Sequence, residues 1–250
     1  MIIDDEILEI GQCGTFYGVG VGPGDPELLT LKAFRLIVSA DCCAYLVNDK
    51  GESLGATIAA APLSARSEDQ PESRLAIYMP MKRDRREANQ QYDQAAEQIA
   101  GVLDRGGDVV FLCEGDPLLF GSFAYLLERL DGRYPCEVVP GISSINAAAA
   151  ELRTPLAQLS GNLAVINARH SDQQILDTLA QFDNVAILKA GQNRPRLLAL
   201  LQQSGRKAEA SYIEYATRTE QKIVRDLDSL ASESGPYFSL FLINRPGEDS

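Results

Sequence analysis

Three short stretches combine glycine, proline and acid in a way that suits ligand binding. They are "GVGVGPGDPELLT" (18–30), "CEGDPLLFGS" (113–122) and "VVPGISS" (138–144). The first two share Gly-Asp-Pro with apolar residues close behind. Glycine permits close backbone approach and left-handed φ, and proline stiffens a turn. Ser143 and Ser144 add hydroxyl or backbone donors. A phosphate ligand is disfavoured on motif and on sign. No GxxxxGK[ST] string occurs, and the dinucleotide spacing G-x-G-x-x-G fails because its third glycine falls on Pro23 or on Asp25. Asp25, Glu114 and Asp116 would also set carboxylates where a polyanion has to sit. A cationic ligand rich in hydrogen-bonding groups fits better. S-adenosylmethionine, with its sulfonium, ammonium, ribose and adenine edge, has that chemistry.

The elements that carry these corners alternate. Residues 15–21 read as a strand, and "DPELLTLKAFRLIVSA" as a helix from Asp25, with Leu28, Leu31, Phe34 and Val38 at helical spacing. Asp25 suits the N-cap, Pro26 the first helical position and Glu27 the helix dipole. Strands are expected at 42–47, 75–80, 108–113 and 136–139, with helices at 53–61, 87–105, 117–131 and 142–152. Residues 64–74 read as a polar surface loop. Strand–helix alternation implies a mainly parallel sheet covered on both faces. The chain then starts again with strand 163–167, helix 172–181, strand 185–189 and helix 193–204. Its end, "ASYIEYA", "QKIVRDL" and "YFSLFLIN", is strand-like, so the second half is α+β with a mixed sheet. The expected division is 1–142 and 143–250. In open parallel sheets ligands bind beyond the carboxyl ends of strands, where all three corners fall.

Composition narrows the function. The 250 residues suffice for two cores, and 45% hydrophobic with 23% charged residues describes a globular protein. Lys and Arg number 23 against 35 Asp and Glu, giving a net charge of −12, which argues against a nucleic-acid partner. Five cysteines form no CxxC pair and only His170 could assist them, so no metal site is expected. Reduced thiols in a cytoplasmic protein fit that count. No apolar run reaches the ~20 residues of a membrane span, and the acidic start lacks a signal-peptide pattern. His170 reads as a loop residue, Cys42, Cys43 and Cys113 as packing residues, and "KRDRRE" (82–87) as a solvated loop and helix start.

The ordered set "VGVGPGDPELLTLKA", "CEGDPLLFGS", "VVPGISS" and "PYFSL" resembles the tetrapyrrole methylase family of corrin and sirohaem synthesis, over roughly residues 14–245. The resemblance implies two α/β domains with S-adenosylmethionine in the cleft between them, in a homodimer. It places the cofactor against Pro23, Glu114, Gly115, Asp116, Leu119, Ser143 and Ser144, and, through the weaker strings "ILKAGQN" and "IEYAT", against the backbone of Lys189 and Ala216. Relatives that act on uroporphyrinogen carry a Tyr-Asp-Arg string with a proposed base. Here the matching residues are Tyr45-Leu46-Val47, which suits a later ring intermediate. The implied activity is methylation of precorrin-2, or its cobalt form, at the carbon-20 meso position in cobalamin synthesis. An electron-rich meso carbon displaces the sulfonium methyl and then loses a proton. No catalytic base is identifiable. Arg153, Lys189, Arg194 and Arg218 are candidate partners for substrate carboxylates. Methylation of another ring carbon or acceptor, and cofactor binding without turnover, stay open as alternatives.

Overall fold

A computed structural model describes residues 13–67, 74–79 and 85–245. The chain forms two compact units. One comprises the residues up to Gly22 together with Pro26–Ile142, and the other comprises Pro23–Asp25 and the residues from Ser143 onward.

The first unit is built on a five-stranded sheet in the order β3-β2-β4-β1-β5. The strands are β1 (Phe16–Gly20), β2 (Cys42–Val47), β3 (Arg74–Tyr78), β4 (Val109–Cys113) and β5 (Cys136–Val139). Every pairing is parallel. β4 is buried along its whole length, as expected of a central parallel strand covered on both faces. Side chains alternate between two cores. Phe16, Cys42, Ala44, Val109, Phe111 and Cys113 face α4 (Arg85–Leu103) and α5 (Phe123–Leu130). Val19, Cys43, Val110 and Leu112 face α1 (Leu31–Ser39), α2 (Leu54–Ile58) and α3 (Ala60–Ser64). Phe123, fully buried, packs 5.4 Å from the Phe16 ring, and a Cβ on Gly18 would strike it at 2.4 Å. Burial of a side chain of that size contributes about 1.5–3 kcal/mol.

The second unit carries a sheet in the order β6-β7-β10-β8-β9. Its strands are β6 (Leu163–Asn167), β7 (Asn184–Leu188), β8 (Ala210–Glu214), β9 (Lys222–Val224) and β10 (Ser239–Asn244). Only β6 and β7 are parallel, so the sheet is mixed as expected. Its main core joins β7, β8 and β10 to α7 (Asp172–Gln181) and α8 (Arg194–Gln203), with the Tyr212 and Phe241 rings tilted against each other at 4.8 Å between centroids. α6 (Ser144–Leu152) lies against β10.

Four sequence expectations are corrected. The helix expected from Asp25 is a single 3-10 turn, Pro26–Leu28, followed by α1. Thr30 is the N-cap, its hydroxyl accepting from the Ala33 amide at 3.1 Å, an interaction worth about 1 kcal/mol. The buried face is therefore Ala33 and Ile37, while Leu31 is 91% exposed. Likewise α5 starts at Phe123 and not 117, because Phe120 takes a left-handed φ of 53° that no helix accommodates. The single helix expected at 53–61 is two short ones, α2 and α3, the second running on to Ser64. The 64–74 segment is not wholly a surface loop, although 68–73 lie outside the described residues. Arg66 is buried and donates to the Ala40 carbonyl at 2.6 Å, to the Ile37 carbonyl, and to Cys43 Sγ at 3.2 Å. A cation at the carbonyl end of α1 meets the negative end of its dipole. Of "KRDRRE", residues 82–84 lie outside the described set and α4 begins at Arg85.

All five cysteines are free, and burial raises the thiols of Cys42, Cys43 and Cys113. Cys43 moves from the ordinary 9.0 to about 11, against a smaller opposing effect of Arg66. Below pH 9.0 the thiol is protonated in both folded and unfolded chains, so stability is undiminished. Between 9.0 and about 11 only the unfolded chain releases that proton, and stability falls. Cys43→Ala should flatten the loss of unfolding free energy over this window, measured by urea titrations at successive pH values. An unchanged slope would refute the assignment.

Candidate functional site

The first unit contains a topological switch point. From β1 the chain moves to β2 on one side, whereas from β4 it moves to β5 on the other, and β1 and β4 are neighbours. At such a point the loops leave in opposite directions and open a crevice beyond the strand ends. Here the two ends are tied together. Val21 N donates to the Cys113 carbonyl at 2.9 Å, and Gly22 and Gly115 form an antiparallel bridge, with Gly115 N donating to Gly22 O at 2.8 Å.

The third corner joins them. A Cβ on Gly141 would lie 2.1 Å from Gly115 O and 2.7 Å from Gly20 Cα, and one on Gly20 would lie 2.5 Å from Gly141 Cα. Gly20, Gly115 and Gly141 thus meet backbone to backbone, at a distance no side chain allows. Gly115 also holds φ at +70°, which favours glycine. Three bends separated by about ninety and twenty-five residues are one junction.

The acids take defined roles around it. Asp116 Oδ2 accepts from the Gly141 amide at 3.2 Å, and its Oδ1 accepts from the Leu118 amide at 2.9 Å. It staples the second corner to the third and closes its own turn, with Leu119 N donating to Asp116 O at 3.4 Å. Neither Asp25 nor Asp116 is the N-cap of an α-helix. Glu114 is exposed, and its Oε1 accepts from the Gly55 amide at 3.2 Å in the first turn of α2. A carboxylate at that position complements the helix dipole. Burial, followed by the neighbouring Glu114 and Asp116 charges, pushes the Cys113 thiol well above its ordinary range and keeps it inert.

The remaining residues belong to the second unit. Ser143 is the N-cap of α6, accepting from Asn146 N at 3.4 Å and donating to Asn146 Oδ1 at 2.7 Å, and half-buried Ser144 opens the helix. Lys189 follows β7 and Ala216 follows β8, strands that flank the start of β10. Ala190 N donates to Ser239 O at 3.0 Å and Tyr215 N to Phe238 O at 2.8 Å, so both loops border the "PYFSL" string. Lys189 is left-handed at φ 57°, and Ala216 is flanked by left-handed Tyr215 (51°) and Thr217 (65°). Left-handed φ at non-glycine residues is sterically costly and concentrates at functional sites. The Lys189 ammonium stands 5.6 Å from the Tyr237 ring centroid. Pro23 belongs to this unit, its carbonyl accepting from Arg218 Nε at 3.5 Å.

Two further residues resolve as structural. Arg194 is buried, paired with Glu214 at 3.0 Å and bonded to Glu233 O at 2.5 Å, which removes it from the substrate candidates. His170 Nδ1 lies 2.8 Å from Asn167 O in a turn. Among the described residues no group of three or more His, Cys, Asp or Glu stands together as a metal-binding set. Sequence reasoning missed Gly55, Thr217 and the tightness of Gly141 against Gly115. Only the close spacing of glycines hinted at the last.

Residues 15–231 match the family of Tetrapyrrole (Corrin/Porphyrin) Methylases. The chain belongs to this family. This tetrapyrrole methylase is 32% identical over 238 residues to a precorrin-2 C(20)-methyltransferase of Sinorhizobium sp, covering 92% of this chain and 95% of that protein. It is 30% identical over 237 residues to a cobalt-precorrin-2 C(20)-methyltransferase of Salmonella typhimurium, covering 94% and 98%. Among solved structures, its fold is similar to uroporphyrin-III C-methyl transferase from Thermus thermophilus complexed with S-adenyl homocysteine. There the TM-score is 0.63 and identity 23%, over 92% of this methylase and 97% of that chain.

The glycine junction yields a direct test. Gly141→Ala forces a Cβ into backbone atoms that cannot yield and should cost about 1–3 kcal/mol. Asp116→Ala loses two hydrogen bonds, one to each corner, and should cost about 1–2 kcal/mol. Because both act at one junction, urea unfolding of the double variant should show less than the sum of the two losses.

Proposed function

We propose that this chain transfers the methyl group of S-adenosylmethionine to carbon-20 of precorrin-2, or of its cobalt form, in cobalamin biosynthesis. Whole-length similarity to two C(20)-methyltransferases carries the reading. The junction of Gly20, Gly115 and Gly141 at the switch point supports the donor site. The residues suit this donor in kind. Close-packed glycines fix the main chain at the strand ends, and the exposed Glu114 carboxylate brings negative charge to a cationic ligand. Glu114, Gly115, Asp116 and Leu119 in the first unit, and Pro23, Ser143, Ser144, Lys189 and Ala216 in the second, are the proposed contacts.

S-adenosylmethionine supplies a methyl group already activated on sulfonium, so the protein's share is alignment and exclusion of water. Asp116 contributes by holding the Gly141 corner against Gly115. Glu114 fixes the start of α2 through Gly55 N while keeping its charge at the strand end. Lys189, Tyr215 and Thr217 hold left-handed φ in the loops that follow β7 and β8. Tyr45-Leu46-Val47 at the end of β2 provides no acid where uroporphyrinogen-acting relatives carry one, which supports a later ring intermediate. Arg153, exposed in a left-handed C-cap after α6, stays among the candidates for a substrate carboxylate. The proposal extends to a homodimer in the cytoplasm, where free thiols persist.

Incubation with S-adenosylmethionine and either precorrin-2 or its cobalt form should give a singly methylated macrocycle, with carbon-20 identified by carbon-13 NMR of the labelled methyl. Methylation at another carbon would overturn the position. Binding of S-adenosylhomocysteine without transfer to either form would overturn the enzyme. Sedimentation equilibrium should report twice the chain mass, and a monomer would dismiss the dimer.

A further inference from the structure

The tripeptide Pro23-Gly24-Asp25 belongs to the second unit although its chain neighbours on both sides belong to the first. The residues that hold it are Thr217 and Arg218, just past Ala216. Asp25 N donates to Thr217 Oγ1 at 3.1 Å, and Arg218 Nε donates to Pro23 O at 3.5 Å. Between these two bonds the Arg218 stem lies on Gly24, where a Cβ would come within 2.4 Å of Arg218 Cγ and 3.1 Å of Ala216 O. The guanidinium stands 4.3 Å from the Phe238 ring centroid and 5.4 Å from that of Tyr215. At that range a cation is attracted to the ring face and fixed in orientation.

The backbone beneath this grip is left-handed. Thr217 is β-branched and sits at φ 65°, a conformation such residues avoid. Its amide donates to Gln221 Oε1 at 2.6 Å, and Gln221 Nε2 donates to Glu151 Oε2 at 2.6 Å. That chain holds the residue left-handed, the posture in which its hydroxyl takes the Asp25 amide. Glycine would occupy this position with less strain, but without the hydroxyl.

We propose that Thr217 and Arg218 are positioning residues that latch the Pro23-Gly24-Asp25 corner, so that Pro23 is presented to the methyl donor in one fixed conformation. This rests on the donor reading given above, and it moves Arg218 from a candidate partner of substrate carboxylates to an organiser of the donor site. The latch acts before any macrocycle binds, so it belongs to donor affinity and not to acceptor affinity.

The test combines calorimetric binding of S-adenosylhomocysteine with thermal unfolding of the same samples. Thr217→Gly relieves the left-handed strain, so its unfolding temperature should be unchanged or higher, yet its affinity should fall about tenfold with the lost hydrogen bond. Thr217→Ser, which keeps the hydroxyl, should recover affinity to within about threefold of the unaltered chain. Arg218→Ala should weaken binding of the same ligand and raise the KM for S-adenosylmethionine more than it lowers kcat. Affinity unchanged in both Thr217→Gly and Arg218→Ala would overturn the proposal. So would an effect of Arg218→Ala confined to the KM of the tetrapyrrole, or affinity lost only in step with unfolding temperature and not recovered by serine. Absence of S-adenosylhomocysteine binding by the unaltered chain would overturn the donor reading itself, and the latch with it.

Discussion

The contact on which the first unit depends is the packing of three glycine backbones at the carboxyl ends of β1, β4 and β5. Backbone can approach backbone this closely only where no Cβ intervenes, and the 2.1 Å separation that an alanine at 141 would have from Gly115 O sets the limit. The strands supply the register, since Gly20 pairs with Cys113 and so places Gly22 opposite Gly115. The sheet order supplies the divergence of the loops above. A junction formed this way is made of main chain, whose positions are fixed by the sheet and not by side-chain rotamers.

The two acids show how charge and structure share a residue. Both Asp116 oxygens are occupied by amides of the protein, and one Glu114 oxygen is occupied by Gly55. Hydrogen bonds to a carboxylate are stronger than neutral ones, so these residues hold the loops that they bridge.

Much of this was legible in the sequence, for definable reasons. Fully buried β4 reads as an unbroken apolar run, and helix α7, with its Ser171 capping box, carries local signals at both pattern and terminus. The corners were visible because glycine and proline restrict the backbone at the residue where they occur. Phase and partnership were less legible. The spacing of Leu28, Leu31, Phe34 and Val38 is helical, yet Thr30 outcompeted Asp25 as cap and rotated the buried face to Ala33 and Ile37. Arg66 looked solvated because nothing local announces that the end of α1 lies above it. Left-handed Lys189, Tyr215 and Thr217 carry no glycine to announce them, and Thr217 is held by a side chain four residues on, Gln221.

The interleaving of the two units has a consequence for dissection. Because Pro23–Asp25 belong with the residues from Ser143 onward, the peptide chain crosses the division three times, after Gly22, after Asp25 and after Ile142. No single cleavage separates the halves into whole parts. A fragment beginning at Ser143 would lack the tripeptide whose amide engages Thr217, and its partner fragment would carry that tripeptide as a loop stripped of its support. Excision of either half therefore severs the contacts that hold Pro23–Asp25 in place.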